Sequence, residues 1–312
     1  MTQPAVALDG LSRRFRELRA VEDLSLQVAP GELFGVVGPD GAGKTTTMRM
    51  LAGVLPPTSG DALVRGVSVA RDPERVKHHI AYMSQRFGLY ADLTVRENIE
   101  FYADLFGVPR PERAKRVERL YRFSGLGPFQ DRLAGQLSGG MKQKLGLTCA
   151  LVHEPEIMLL DEPTFGVDPI SRRDLWLIVH EMVARGVTAI VATAYLDEAE
   201  RCDRVALLHE GRLVAIDTPA ALQQRLAGHI HWVRADDPRR ARDVLRSRPA
   251  VRQATLFGDV LHLNLEDRPR DWPAARAALE TAGLQVLAEG EAEASLEDVF
   301  IHLVRDGGEA RG

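Results

Sequence analysis

Cysteine is nearly absent: only Cys149 and Cys202 occur among 312 residues. Two thiols cannot build a disulfide framework in a chain of this size, so a reducing compartment is the simpler reading, with both expected as small core residues. Long apolar runs are missing too. No charge-free stretch exceeds 11 residues, well short of the ~20 apolar residues that cross a bilayer, so the polypeptide is not expected to span a membrane by itself. The first residues, Met1 to Gly10, lack a basic segment followed by an apolar one, and no secretory signal is read there. Nor does one sign of charge dominate, since 40 Lys+Arg face 44 Asp+Glu for a formal net charge of −4. A nucleic-acid protein carries a strongly basic, phosphate-gripping domain, so no nucleic-acid partner is expected. Together these absences read as a cytoplasmic chain. What is present is core: 45% of residues are hydrophobic, enough for one large domain or two ordinary ones.

The apolar residues fall in short runs bounded by turn residues: Leu33 to Val37, Ile157 to Leu160, Thr188 to Ala192 and Val205 to Leu208. Runs this short and continuous suit strands buried on both faces of a sheet. Thr45 to Ala52 and Ser171 to Ala184 carry helical spacing between them, which predicts an α/β body. Ala5 to Leu8, Leu24 to Val28 and Ala62 to Val69 read as edge strands, so an antiparallel flank is expected beside a parallel core. From about Tyr90 to Leu151 the pattern turns mainly helical, a helical insertion within that body.

After about residue 228 the character changes. Ile230 to Arg234, Pro238 to Arg246, Val251 to Phe257, Val260 to Leu265, Trp272 to Ala282 and Leu284 to Ala288 read strand, helix, strand, strand, helix, strand. Gly258-Asp259 supplies a hairpin turn. That order predicts a small α+β domain of the ferredoxin-like, split βαβ kind. A last helix, Ser295 to Val304, has Ser295 as N-cap ahead of Glu297 and Asp298. The expected domains are therefore 1–227, with the insertion at about 90–151, and 228–312.

Chemistry first shows in the run Gly38, Pro39, Asp40, Gly41, Ala42, Gly43, Lys44 and Thr45, which follows an apolar strand and opens a helix with Thr46 next in line. This is the context of a phosphate-binding loop. Its glycines bring main-chain N–H groups close to phosphates, the helix start adds positive potential, Lys44 reaches the β- and γ-phosphates, and Thr45 ligates Mg²⁺. A Gly-rich turn with an exposed lysine is the bland alternative. A second run, Leu137-Ser138-Gly139-Gly140-Met141-Lys142-Gln143, lies inside the insertion. Ser138 is a natural N-cap, and the glycines after it bare N–H groups at a helix start. One chain with two phosphate cradles points to a nucleotide bound elsewhere by the second. A small-molecule P-loop kinase predicts no such second run.

With these residues in hand, the sequence resembles the ATP-binding subunit, or nucleotide-binding domain, of ABC transporters over about Ala5 to Ala227. The resemblance implies a P-loop NTPase fold of the ABC ATPase type, with ATP and Mg²⁺ as its ligands. It also implies head-to-tail stacking with a second ATPase unit, as a homodimer or heterodimer. Each ATP would then lie between the P-loop of one unit and the Ser138, Gly139, Gly140 and Gln143 signature of the other. Ile157 to Leu160 followed by Asp161-Glu162 matches the family's Walker B strand. By that match Asp161 holds Mg²⁺ and Glu162 polarises the attacking water. Gln85 matches the Q-loop residue that contacts Mg²⁺ and relays nucleotide state to the membrane partner. Asp168 matches the D-loop that crosses the dimer interface. Phe15 sits where the family stacks an aromatic on adenine, with core packing as its plain alternative. Lys44, Gln85 and Glu162 are thereby the implied catalytic set, and Thr45, Gln85 and Asp161 the implied metal set.

One departure stands out. The family carries a histidine after the next strand, and here Ala192-Thr193-Ala194-Tyr195 puts Ala194 in its place. A methyl group donates no hydrogen bond, so the chain's own site is expected to be slow, by roughly 10²–10³ if the lost donor acts in the transition state. Gly38-Pro39-Asp40-Gly41, Phe87-Gly88-Leu89-Tyr90, Leu126-Gly127-Pro128-Phe129 and Gly166-Val167-Asp168-Pro169 look like the first half of tandem ATPase subunits in ABC-2-type multidrug exporters, and the tail Ser295 to Phe300 is similar to the closing segment of drug-export ATPases in the same group. The expected role is an ATP-hydrolysing subunit, peripheral on the inner face of the membrane, that powers export through membrane-spanning subunits docked near Phe87 to Asn98. The rival is a weakened or non-transport ATPase that donates its signature to a partner or acts on ribosomes.

Overall fold

The computed structural model describes residues 3–85 and 88–309. The chain divides into two compact units, Met1–Glu198 with Cys202–Leu213, and Ala199–Arg201 with Val214–Gly312.

The first unit is built on a parallel sheet of β3 (Leu33–Val37), β6 (Ile80–Met83), β7 (Ile157–Asp161), β8 (Thr188–Thr193) and β9 (Arg204–His209), in the order β9-β3-β8-β7-β6. Every residue of β3, β7 and β8 is buried, which is why these runs read as continuous rather than alternating. Helices α1 (Lys44–Leu51) and α6 (Pro169–Ala184) pack on this sheet. A second, antiparallel sheet holds β1 (Val6–Phe15), β2 (Leu18–Val28), β4 (Ser59–Val64) and β5 (Val67–Ser68) in the order β2-β1-β4-β5. The expected single strand from Ala62 to Val69 is broken, because Arg65 and Gly66 turn through positive φ (49° and 79°) and fold the segment into a hairpin. Short helix α2 (Pro73–Lys77) leads into β6.

The insertion is helical, as expected, with α3 (Val95–Leu105), α4 (Arg110–Ser124) and α5 (Gly139–Leu151). Thr94 caps α3 in a reciprocal box with Glu97, the arrangement that satisfies two orphan N–H groups at once. Asn98 is buried and ties the preceding loop down, accepting from the Tyr90 N–H at 2.9 Å and donating to the carbonyls of Tyr90, Leu93 and Thr94. The expected docking surface therefore narrows: Val95 and Asn98 are interior, Tyr90 is exposed, and Phe87 lies outside the described residues.

After α7 (Leu196–Ala199) and β9, β10 (Arg212–Asp217) carries the chain from the first unit into the second. Helix α8 (Pro219–Gln224) falls in the second unit, where it packs on the last helix α11 (Leu296–Glu309). The rest comprises β11 (Ile230–Ala235), α9 (Pro238–Arg246), β12 (Val251–Phe257), β13 (Val260–Leu265), α10 (Arg268–Thr281) and β14 (Val286–Glu291). Its sheet is antiparallel in the order β12-β13-β11-β14, the strand order of a split βαβ unit. Val233, Leu245, Leu261, Leu263, Trp272 and Leu279 form its core under α9 and α10. Among the described residues no helix is long and apolar enough to cross a membrane.

Candidate functional site

The loop from Gly38 to Gly43 joins β3 to α1, and the helix starts at Lys44, one residue before the expected start. Gly43, its N-cap, sits at φ 98°, and a Cβ there would lie 2.5 Å from the Ala20 carbonyl oxygen. Only glycine makes that turn. Lys44 is buried and curls back inside the loop, donating Nζ to the carbonyls of Gly38 (2.8 Å) and Pro39 (3.1 Å), with Glu162 Oε1 at 3.5 Å. The loop thus holds an ammonium group inside a ring of main chain, the shape of an anion cradle.

Across from the loop, β7 ends on Asp161, which is 1% exposed. Its Oδ1 accepts from Thr45 Oγ1 at 2.9 Å and its Oδ2 from Tyr82 OH at 3.3 Å. Burial pushes the Asp161 carboxyl above the usual carboxylate range, against the pull of Thr45, Tyr82, Arg49 and Lys44. Tyr82, on β6, is likewise pushed up to about 12 by burial and by Asp161. Tyr82 carries little signal in the sequence beyond a polar aromatic residue in the strand-like run Ile80 to Ser84. Glu162, at φ 50°, leaves the strand, and its Oε2 accepts from Gln85 Nε2 at 3.0 Å. Gln85, Lys44 and Glu162 are therefore brought together, as are Thr45 and Asp161.

Phe15, Leu18, Ala20, the loop from Asp40 to Thr46, Gln85, Glu162 and Phe165 line one cleft of about 480 Å³, within the roughly 300–1,000 Å³ of ligand pockets. Phe15 is 41% exposed at its rim, with the Arg13 guanidinium 4.6 Å over the ring. It is not core packing. The hydroxyl, carboxylate and amide oxygens of Thr45, Asp161 and Gln85 are hard donors of the kind that suit Mg²⁺. Among the described residues no group of three His, Cys, Asp or Glu side chains forms a metal cage, and Mg²⁺ seldom requires one when phosphates complete its shell.

Ser138 caps α5, its Oγ accepting from Met141 N at 3.3 Å. Gly140 lies against the start of α6, where a Cβ would fall 2.2 Å from Ser171 Oγ. Asp168 caps α6 by accepting from the N–H groups of Ile170 (3.1 Å) and Ser171 (2.9 Å), and Ser171 holds its carboxyl below the usual range. Ser138, Gly139, Gly140 and Asp168 form one neighbourhood, and none of them lines the cleft of Lys44. Gln143, further along α5, lines a second cleft, of about 250 Å³, with Gln85, Leu89 and Lys142. Ala194 is exposed at the end of β8.

Residues 21–165 match the family model for the ABC transporter. The chain is 51% identical over 230 residues to the probable multidrug ABC transporter ATP-binding protein YbhF of Escherichia coli (strain K12), covering 73% of this chain and 40% of that protein. It thus spans two fifths of that relative's length. Over nearly its whole length it is 35% identical to Nod factor export ATP-binding protein I of Paraburkholderia xenovorans (strain LB400), with 97% and 98% of the two chains covered. The daunorubicin/doxorubicin resistance ATP-binding protein DrrA of Streptomyces peucetius is also 35% identical, with 97% and 93% covered. Among solved structures, an ATP binding subunit of an ABC transporter superposes with a TM-score of 0.65 at 31% identity, over 71% of this chain and 92% of that one. The cbiO1 structure from Clostridium perfringens gives a TM-score of 0.65 at 26% identity, over 71% and 91%.

Proposed function

Because the chain belongs to the family of ABC transporter ATP-binding proteins, we propose that it binds and hydrolyses ATP in the Lys44 cleft and so powers an exporter. One observation carries the reading. The serine-led glycines at 138–140 open a second helix whose start does not line the chain's own cleft. They find a use only when two units meet head to tail, each capping the other's nucleotide.

In this reading Lys44 and the loop N–H groups grip the β- and γ-phosphates, and the Phe15 ring supports the base. Thr45, Asp161 and Gln85 would hold Mg²⁺, which supplies charge neutralisation on the phosphate oxygens when bound. Glu162, braced by Gln85 and Lys44, orients the water whose oxygen joins the γ-phosphorus as the bridging oxygen leaves with ADP. Asp168 faces the mate.

Closing and opening are passed to membrane-spanning partner subunits, with the chain peripheral on the cytoplasmic face. Tyr90, Phe101, Tyr102 and Phe106 offer the docking surface, a ladder with ring centroids 4.6, 5.5 and 6.2 Å apart. Relatives named for Nod factor export and for drug resistance favour export. Ala194 supports a second version, in which this unit hydrolyses slowly and serves a faster partner site with its signature.

The test is assembly. Light scattering of the Glu162→Gln chain with ATP and Mg²⁺ is expected to show a dimer that Lys44→Ala or Ser138→Arg cannot form. A strictly monomeric sample under nucleotide overturns the reading. Co-purification with ribosomes instead of a multi-spanning membrane protein replaces export by the non-transport role.

A further inference from the structure

Glu198 is a fully buried carboxylate in the first unit. Its Oε1 accepts from Thr164 Oγ1 (2.5 Å), Arg172 Nε (2.5 Å) and Trp176 Nε1 (3.2 Å), and its Oε2 accepts from Thr193 Oγ1 (2.8 Å). Thr164, Trp176 and Thr193 are themselves buried. An ion placed this deep is tolerated only when a charge partner and further donors replace its water, and four donors from three separate segments do so here.

Two of the segments lead to the cleft, and the third leads to the cap at Asp168 beside the 138–140 helix start. Thr164 follows Glu162, whose N–H is held by the Ala192 carbonyl at 2.9 Å. Arg172 and Trp176 belong to α6, which begins behind Asp168. Thr193 gives its side chain to Glu198 and its carbonyl to the Gly38 N–H at 3.4 Å, so the hub stands one residue from the phosphate loop. Arg172 also lies 4.6 Å over the Tyr195 ring and 3.4 Å from Asp197, gripping the segment that carries Ala194.

We propose that Glu198 is a positioning residue that makes the loop after Glu162, the helix behind Asp168 and the end of β8 move as one body when nucleotide occupies the cleft. The inference rests on the nucleotide-binding reading above. Its physical basis is asymmetry: taking away one partner strands a buried charge, so the network is held whole or lost as a whole. Position 194 offers no side-chain donor, so Thr193, tied to Glu198 by its side chain and to Gly38 by its carbonyl, links the end of β8 to the loop.

The experiment is hydrogen exchange of the whole chain with and without ATP and Mg²⁺, with turnover and nucleotide affinity measured beside it. In wild type, nucleotide is expected to slow exchange in both 38–47 and 163–171. In Glu198→Gln the first protection and the affinity stay within about twofold, whereas protection of 163–171 and kcat each fall about tenfold, the scale of a modest misplacement. Thr164→Val is expected to repeat this loss and Thr164→Ser to reverse it, so the idea remains testable should Glu198→Gln fold poorly. Unchanged protection of 163–171 in both Glu198→Gln and Thr164→Val overturns the proposal. So does a parallel loss of affinity, which marks a merely structural ion. Absence of protection at 38–47 in wild type overturns the nucleotide reading itself and this inference with it.

Discussion

Thr45 donates its hydroxyl to Asp161 across 2.9 Å, although 116 residues separate them. The bond closes the phosphate loop onto the end of β7 and leaves two oxygens side by side where Mg²⁺ is proposed to bind. Removing the hydroxyl costs Asp161 its nearest donor in a site where burial already disfavours its charge. Thr45→Val is expected to weaken Mg²⁺-dependent nucleotide binding at least tenfold, about 1.4 kcal/mol, with a smaller effect in EDTA. Titration of a fluorescent ATP analogue in the two buffers checks this. An equal Mg²⁺ enhancement in variant and wild type removes Thr45 from the metal set.

Glu162 meets Gln85 at 3.0 Å and Lys44 at 3.5 Å, a geometry that orients its carboxylate without fully enclosing it. Glu162→Gln is expected to lower ATP turnover by roughly 10²–10⁴, the range for losing a general base, with nucleotide affinity retained. Phosphate release measures it. Equal rates show that Glu162 is not the base.

Ala194 is exposed, so a larger side chain fits without repacking. Ala194→His is expected to raise turnover by roughly 10²-fold, the scale of one added preorganised donor. An unchanged kcat across pH 6 to 9 means that the rest of the site already compensates.

Gly140 approaches Ser171 too closely for a Cβ, at 2.2 Å from its Oγ. Gly140→Ala is expected to cost about 1–3 kcal/mol of stability through overpacking and to displace the cap at Asp168. Ser171→Gly in the same chain makes room and restores most of the loss. Denaturant unfolding of the single and double variants checks the pair, and additive effects refute the contact.

In the second unit, Asp298 Oδ2 accepts from His262 Nδ1 (3.1 Å), Ser295 N (3.0 Å) and Ser295 Oγ (2.7 Å). Burial raises this carboxyl, but His262 and Ser295 outweigh burial and hold it below its ordinary 3.8. A depressed acid contributes its stability above the unfolded value and loses it as the pH falls through the folded one. Asp298→Asn is therefore expected to cost about 1–3 kcal/mol at pH 7, a difference that narrows below pH 3.8. Urea unfolding followed across pH tests the sign; a gap that widens in acid contradicts it.

Legibility followed distance along the chain. The buried strands at 33–37 and 157–161 and the loop ending at Lys44 were readable because each is a local pattern, an apolar run or glycines spaced for main-chain turns. The split of the segment from Ala62 to Val69 was not, since apolar residues flank the Arg65–Gly66 turn on both sides. Asn98 looked like surface because a polar side chain reads as exposed, and only its four hydrogen bonds to the preceding loop explain its burial. Gln143 is placed with the signature by adjacency in sequence, and only the folded chain shows that it also lines a cleft with Gln85.

By itself, the amino-acid order determined the motifs, the alternation of strand and helix, the family and the missing donor at 194, because each is written in neighbouring residues and in side-chain chemistry. The tertiary structure alone decided who meets whom: Thr45 with Asp161, Gly140 with Ser171, and Glu198 with donors 5 to 34 positions away. Such pairings depend on how the sheet and its helices stack in space, and a burial that makes an acid costly or useful exists only once that stacking has excluded water.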